Sequence, residues 1–263
     1  MLGTLFATRR PNCVRVSSNA ALLQTTKLNK QRNIMKVVIL AGGKGTRLAE
    51  ETHSKPKPMV EIGGKPILWH IMKHFSHHGF DEFVIALGYK GEVIKEYVLG
   101  ALRQSGNITV DFATTKIEQS PEEQLNWKVH LIDTGLETLT GGRVKKLQNI
   151  LSGERFFLTY GDGVANVDLN ALLDFHKNNT CLATITAVHP ASRFGSIKFK
   201  ENKIERFAEK SQVDVGWING GFMVIEPGIF DYLETDDSVL ELDGLEELAK
   251  EKLLAGYKHD GFW

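Results

Sequence analysis

The chain has 263 residues, 42% hydrophobic and 24% charged, and its formal net charge is zero. Those values fit a globular chain of one large domain or a domain with an arm, and they exclude a polybasic binder of nucleic acid or of a membrane surface. Two cysteines, Cys13 and Cys181, are too few for a disulfide framework or a cysteine zinc site, and no apolar run approaches the ~20 residues of a membrane span.

The zero charge hides an asymmetry. Residues 1–34 carry Arg9, Arg10, Arg15, Lys27, Lys30 and Arg32 and no acid, so the remainder holds 26 basic against 32 acidic residues, a net charge of −6. An arginine-, serine- and threonine-bearing stretch without acids has the composition of an organelle transit peptide. The other reading is an upstream start before a true first residue at Met35. Under both, residues 1–34 stand outside the fold.

From Met35 the elements follow in order. Val37-Val38-Ile39-Leu40 is a β-branched apolar run ended by glycines, which predicts a buried central parallel strand. Ile67, Leu68, Ile71, Met72 and Phe75 recur at helical spacing, predicting a helix to His78 with Gly79 as its C-terminal cap. Phe83 to Leu87 is the second strand, Gly91 to Leu99 a helix, and Ile108 to Ala113 a third strand. This alternation predicts βαβ units: an α/β fold with a doubly wound, mostly parallel sheet. Residues 115–126 read as an irregular polar excursion. A strand at Lys128 to Ile132, a helix from near Arg143 and a strand at Phe156 to Thr159 come next. Asp168 is placed to cap a helix from Leu169 to Lys177. Strands follow at Leu182 to Val188, Ile197 to Phe199 and Gly221 to Ile225, with Ile204 to Phe207 as hairpin partner of the second. A last helix spans Leu242 to Leu254.

The strongest chemical signal is Leu40-Ala41-Gly42-Gly43-Lys44-Gly45-Thr46-Arg47 directly after the first strand. Glycines let backbone N–H groups approach a polyphosphate, and Arg47 adds a planar two-point donor. The loop has neither the Gly-Lys-Ser/Thr ending of a P-loop nor the dinucleotide Gly-x-Gly-x-x-Gly spacing. Lys55-Pro56-Lys57-Pro58 follows; its prolines stiffen an extended segment and forbid a helix, holding cationic side chains in fixed directions. Asp162, between glycines after an apolar strand, is a carboxylate at the carboxyl end of a sheet, where doubly wound folds bind ligands. His70, His74, His77 and His78 crowd one helix without an acid at ligand spacing and read as partly exposed helix histidines. Trp127 and Trp217 read as packing residues, with Trp217 near enough to Asn219-Gly220 to leave a sugar contact open.

The run from Met35 through Lys65 resembles the signature of the sugar-1-phosphate nucleotidyltransferases. Met59 to Met72, Gly88-Tyr89-Lys90-Gly91, Asp133-Thr134-Gly135, Thr140-Gly141-Gly142-Arg143, Thr159 to Val164, Arg193-Phe194-Gly195, Ile218 to Phe222 and His259 to Trp263 are similar to the glucose-1-phosphate cytidylyltransferases among them. The resemblance implies a Rossmann-like nucleotidyltransferase domain over residues 35–263 with a small β-rich sugar-binding part. It implies CTP and glucose 1-phosphate as substrates, CDP-glucose and pyrophosphate as products, Mg²⁺ as cofactor, a homo-oligomer, and neither nucleic acid nor membrane as partner. A cytoplasmic location goes with it, organelle targeting by residues 1–34 being the alternative.

Carried over residue by residue, Leu40, Ala41, Gly42, Gly43, Gly45, Thr46, Thr138, Arg143 and Gly161 would hold the nucleotide. Arg47, Lys57 and Lys210 would be catalytic, Asp162 the metal ligand, and Glu209, Asn219 and Gly220 the sugar-phosphate contacts. Three departures stand out. Ser211 replaces a proline, Asp243-Gly244 replaces Glu-Pro, and the family's second metal carboxylate falls in a Met-Asp-Thr segment beyond the Gly-Phe-Trp run at which this sequence stops. Besides the cytidylyl reading, the residues leave open a dTTP or UTP enzyme and a truncated, catalytically impaired homologue that binds nucleotide without turning it over.

Overall fold

The structure is a computed structural model that describes residues 35–43, 55–104, 106–120, 125–151, 153–190, 196–200, 202–208 and 216–263. The expected extension at residues 1–34 lies outside the described residues, as do Gly45, Thr46, Arg47, Glu209 and Lys210.

Val37, Val38 and Ile39 are fully buried and Leu40 nearly so, because both faces of this first strand, β1 (Val37–Leu40), are covered. It pairs in parallel with β4 (Glu82–Leu87) on one side and β8 (Phe156–Tyr160) on the other. Beyond β4 lies β7 (Lys128–Asp133), also parallel. Beyond β8 come β12 (Ile218–Ile225), β9 (Ala183–Val188) and β13 (Leu254–His259). Only β12 runs against its neighbours; the sheet is otherwise parallel, as read from the sequence.

Alternate strand residues enter two apolar layers. Val37, Ile39, Phe83, Ile85, Phe157 and Phe222 pack with helices Ile67–His77, Gly91–Gln104 and Leu169–Lys177. Val38, Leu40, Val84, Ala86, Phe156 and Leu158 pack with helix Thr140–Lys146 and the helical segment Leu240–Lys250 on the opposite face. That is the doubly wound arrangement.

Local signals account for several boundaries. Helix Ile67–His77 ends in a Schellman motif: Phe80 N–H donates to the Phe75 carbonyl at 3.1 Å, Gly79 N–H donates to Ser76 at 3.0 Å, and Gly79 has φ +91°. Asp168 caps helix Leu169–Lys177 by accepting from Asn170 and Ala171 N–H at 3.0 Å each. The hairpin of β10 (Ser196–Lys200) and β11 (Lys203–Ala208) forms as expected, and a shorter one joins β2 (Glu61–Ile62) to β3 (Lys65–Pro66).

Four expectations are corrected. The strand expected third in the parallel sheet, β5 (Asn107–Asp111), instead forms a separate hairpin with β6 (Lys116–Ser120), a strand inside the stretch 115–126 read as irregular. Lys57–Met59 forms one 3-10 turn rather than an extended segment, since Pro58 at its start needs no N–H partner. The helix expected to begin near Arg143 begins at Thr140. The last helix, expected to reach Leu254, is a π-helical turn (Leu240–Glu246) and a short α-helix (Glu247–Lys250). Lys252 then takes φ +61°, and β13 follows.

The helix histidines are partly exposed, as expected, and His74 is the one whose charge its surroundings most disfavour. Burial, then the charge of His78, whose ring lies 4.8 Å away, lower its pKa to about 4, while a backbone hydrogen bond at Val167 acts in the opposite direction. A histidine kept neutral in the fold binds fewer protons than in the unfolded chain, so its contribution is present above the ordinary histidine range. It is lost as pH falls from there towards 4. His176, whose pKa burial also lowers, acts with the same sign. The melting temperature should therefore fall between pH 7.5 and pH 5, and His74→Phe should flatten that slope in circular-dichroism melts; an unchanged slope would remove His74 from the account.

Candidate active site

In the sheet order, the chain leaves β1 towards β4 and β7, then returns to place β8 on β1's other side. The β1/β8 boundary is therefore the topological switch point, and ligands of such sheets bind outside the carboxyl ends of the strands there. Leu40–Gly43 and Tyr160–Asp162 leave the sheet side by side at this point, joined by the Gly161 N–H donating to the Leu40 carbonyl at 2.9 Å. Gly161 cannot be replaced without movement, because a Cβ there would lie 2.8 Å from Pro58 Cγ and 3.0 Å from the Leu40 oxygen.

That close approach brings the turn at Lys57 onto the strand ends. Pro58 and Met59 are buried, while the Lys57 ammonium meets Asp162 Oδ2 at 2.9 Å, with side-chain exposures of 22% and 44%. Two residues 105 positions apart are thus brought together as an open cation–carboxylate pair at the mouth of the crevice. Of the sequence-predicted set, Leu40, Ala41, Gly42, Gly43, Lys57, Gly161 and Asp162 converge at this point.

Arg143 and Thr138 are placed differently. Arg143 is 4% exposed, and its guanidinium lies beneath the loop. It donates to the Leu87 (3.0 Å), Gly135 (2.8 Å), Gly42 (3.0 Å) and Leu136 (3.3 Å) carbonyls and to Thr134 Oγ1 (2.7 Å). One planar fork thereby ties the loops after β1, β4 and β7. Burial lowers the Arg143 pKa and the nearby Asp133 charge opposes that shift. Gly42 and Gly88 are glycines because a Cβ at either would run into this guanidinium. Through these bonds Arg143 braces the glycine loop after β1 from beneath. Thr138 is also buried, and its hydroxyl accepts from Lys146 Nζ at 3.2 Å.

On the β12 side, Asn219 Oδ1 accepts the Gly221 N–H at 2.9 Å, and the pairing with β9 shifts register between Asn219 and Met223. Gly221 has φ +85°, with the Tyr160 ring 3.0 Å from where its Cβ would be. The Gly220 carbonyl accepts from Trp263 Nε1 at 2.8 Å. Trp127 packs edge-on against Phe83 and Trp69, as a packing residue should. Trp217 is 40% exposed and lies 3.8 Å from the His189 ring.

Sequence reasoning passed over Tyr160 and Glu241. The Tyr160 hydroxyl donates to Glu241 Oε1, and Thr140 Oγ1 donates to Glu241 Oε2 at 2.7 Å. Tyr160 carried a signal, as the neighbour of Gly161-Asp162; nothing in Leu240-Glu241-Leu242 marked the glutamate.

A mostly parallel, doubly wound sheet with glycine turns, a lysine and an aspartate at its switch point defines an α/β protein of Rossmann-like architecture. The chain belongs to the nucleotidyl transferase family, whose profile matches residues 36–263. It is 46% identical to glucose-1-phosphate cytidylyltransferase of Salmonella typhimurium (strain LT2) over 87% of this chain and 90% of that protein. It is 44% identical, with the same coverage, to the probable glucose-1-phosphate cytidylyltransferase of Bacillus subtilis (strain 168). Among solved structures, HddC from Yersinia pseudotuberculosis complexed with GMP-PN is similar at a TM-score of 0.62 and 25% identity, covering 87% of this chain and 92% of that one. UDP-glucose pyrophosphorylase complexed with UDP-glucose shares the fold at a TM-score of 0.57 and 19% identity, covering 87% and 91%.

Proposed function

We propose that this chain transfers CMP from CTP to α-D-glucose 1-phosphate, giving CDP-glucose and pyrophosphate. Residues 35–263 form the transferase domain, and residues 1–34 lie outside it. The observation that carries the reading is the Lys57–Asp162 pair beside the glycine turns at the carboxyl ends of β1 and β8. The cytidylyltransferase names of the relatives at 44–46% identity support cytosine as the base.

In the reaction, a phosphate oxygen of glucose 1-phosphate attacks the α-phosphorus of CTP in line. The bond to the leaving pyrophosphate breaks, and no general base is required because the attacking oxygen is already ionised. Catalysis of this kind rests on positioning and charge stabilisation. Lys57 meets charge on the α-phosphoryl group, and its bond to Asp162 is the contact that substrate exchanges for phosphate. Leu40–Gly43 present backbone to the triphosphate, with Arg143 holding that loop from below. Gly45, Thr46 and Arg47, together with Glu209 and Lys210 for the sugar phosphate, complete the set from outside the described residues.

Asp162 supplies one hard oxygen ligand, and among the described residues no group of three acidic, histidine or cysteine side chains is placed to hold a metal. One carboxylate fits Mg²⁺, which takes its remaining ligands from substrate phosphates and water. When bound, the ion would offset triphosphate charge.

Release of pyrophosphate measured with CTP, dTTP, UTP and GTP, each with glucose 1-phosphate, tests the assignment. CTP should be used best. Equal or faster turnover with another triphosphate would overturn the base assignment, and CTP binding without turnover would make the chain an impaired homologue. The reading carries with it a cytoplasmic, homo-oligomeric enzyme that supplies nucleotide sugar for deoxysugar or O-antigen polysaccharide synthesis. The apolar face of the β5–β6 hairpin, with Ile108, Val110, Phe112 and Ile117 exposed, offers surface for subunit contact. No helix among the described residues is long and apolar enough to cross a membrane.

A further inference from the structure

Glu241 joins parts of the site that are far apart in sequence. Its two carboxylate oxygens accept from Tyr160 and Thr140, which are 81 and 101 residues away. Thr140 Oγ1 in turn accepts the Leu240 N–H at 3.0 Å, so the link is closed at both ends. Thr140 opens the helix that carries Arg143. Tyr160 is the last residue of β8, opposite Leu40 of β1, and leads directly into Gly161-Asp162. Its ring lies against Gly221, and its hydroxyl also meets the Asn219 side chain. Burial, then the hydrogen bond to Glu241, raise the Tyr160 pKa, so the phenol remains a donor. The glutamate projects from a seven-residue π-helical turn, a geometry that recurs at functional sites.

We propose that Glu241 is a positioning residue for the transfer reaction, holding Tyr160 so that the Gly161-Asp162 turn and the Asn219–Gly221 bulge keep one geometry relative to the Arg143-braced loop. The proposal rests on the transferase reading above. A carboxylate that accepts from two hydroxyls fixes both without touching substrate. Its loss should appear in the chemical step rather than in nucleotide capture.

The test is steady-state kinetics on the full chain as wild type, Glu241→Ala, Glu241→Gln, Tyr160→Phe and the Glu241→Ala/Tyr160→Phe double variant. Glu241→Ala should lower kcat by about 10–100-fold, with KM for CTP within about 2-fold of wild type. Glu241→Gln, whose amide oxygen accepts from the phenol while its amide nitrogen donates to Thr140 Oγ1, should stay within about 3-fold of wild-type kcat. Tyr160→Phe should match Glu241→Ala, and the double variant should be no slower than the slower single one, because both remove one link.

Wild-type kcat in Glu241→Ala, multiplying losses in the double variant, or a glutamine variant as slow as the alanine one would each overturn the proposal. Should Glu241→Ala fail to fold, Tyr160→Phe decides: slowed turnover at constant KM supports the link, and unchanged kcat overturns it. A wild-type chain that uses a different triphosphate refutes the CTP assignment alone, and the same variants are then compared on that substrate. A wild-type chain with no turnover on any triphosphate overturns both.

Discussion

Replacing Lys57 by alanine is expected to cut kcat for CDP-glucose formation by about 10²–10³-fold, the usual cost of losing one preorganised charge-stabilising donor. The fold should survive. The ion pair with Asp162 is partly exposed on both sides, and such pairs contribute only about 0–1 kcal/mol to stability. Pro58 and Met59, which anchor the turn, are untouched. Pyrophosphate release and a thermal melt on the same preparation separate the two effects. Near-native turnover in Lys57→Ala would refute its catalytic role, while a collapsed melt would make it structural.

The second large effect is expected at Arg143. In Arg143→Met the Leu87 carbonyl keeps the Thr134 hydroxyl and N–H as donors, and the Gly42 carbonyl keeps the Tyr89 N–H. The Gly135 and Leu136 carbonyls lose the guanidinium bonds described for them. Leaving a buried polar group without its partner costs about 1–3 kcal/mol, so the variant should lose ~2–5 kcal/mol in all. For a domain of this size that corresponds to a fall of roughly 5–15 °C in melting temperature. Turnover should fall together with stability, because the loop after β1 loses its brace, and a displacement of about 1 Å can cost ~10²-fold. Lysine should not rescue, since a single ammonium cannot reach carbonyls on both sides of the fork. A melt within about 2 °C of wild type would show that the guanidinium is not load-sharing between these loops.

The fold was legible wherever one residue type has one physical use. The β-branched run at Val37 to Leu40, the helical spacing from Ile67 to Phe75 with Gly79 behind it, and the Asp168 cap each specify a local conformation. The misses have equally local causes. Ile108 and Val110 alternate with polar residues, which predicts a strand but not its partner. The polar alternation belongs to an exposed hairpin, whereas a strand buried on both faces reads as a continuous apolar run. β13 was hidden because Lys252 turns the chain with a positive φ, a conformation that glycine would have announced and lysine does not. At the site, Lys57 and Asp162 were readable as charged groups in glycine- and proline-bearing turns. Whether Arg143 faces a ligand or backbone carbonyls was not readable, since a guanidinium suits both.

The central position of β1 also bears on how the chain acquires its structure during synthesis. Val37 pairs with Phe83 on one side but with Phe157 on the other, 120 residues further along. At translation rates of roughly 5–20 residues per second, the second partner emerges on the order of 10 s after β1. Through that interval a fully apolar strand presents one unpaired edge, the condition under which nascent chains associate with one another. The strand that carries the glycine loop is thus a point of vulnerability in biogenesis. Added chaperone should raise the yield of folded protein more than changes at the sheet's outer strands would.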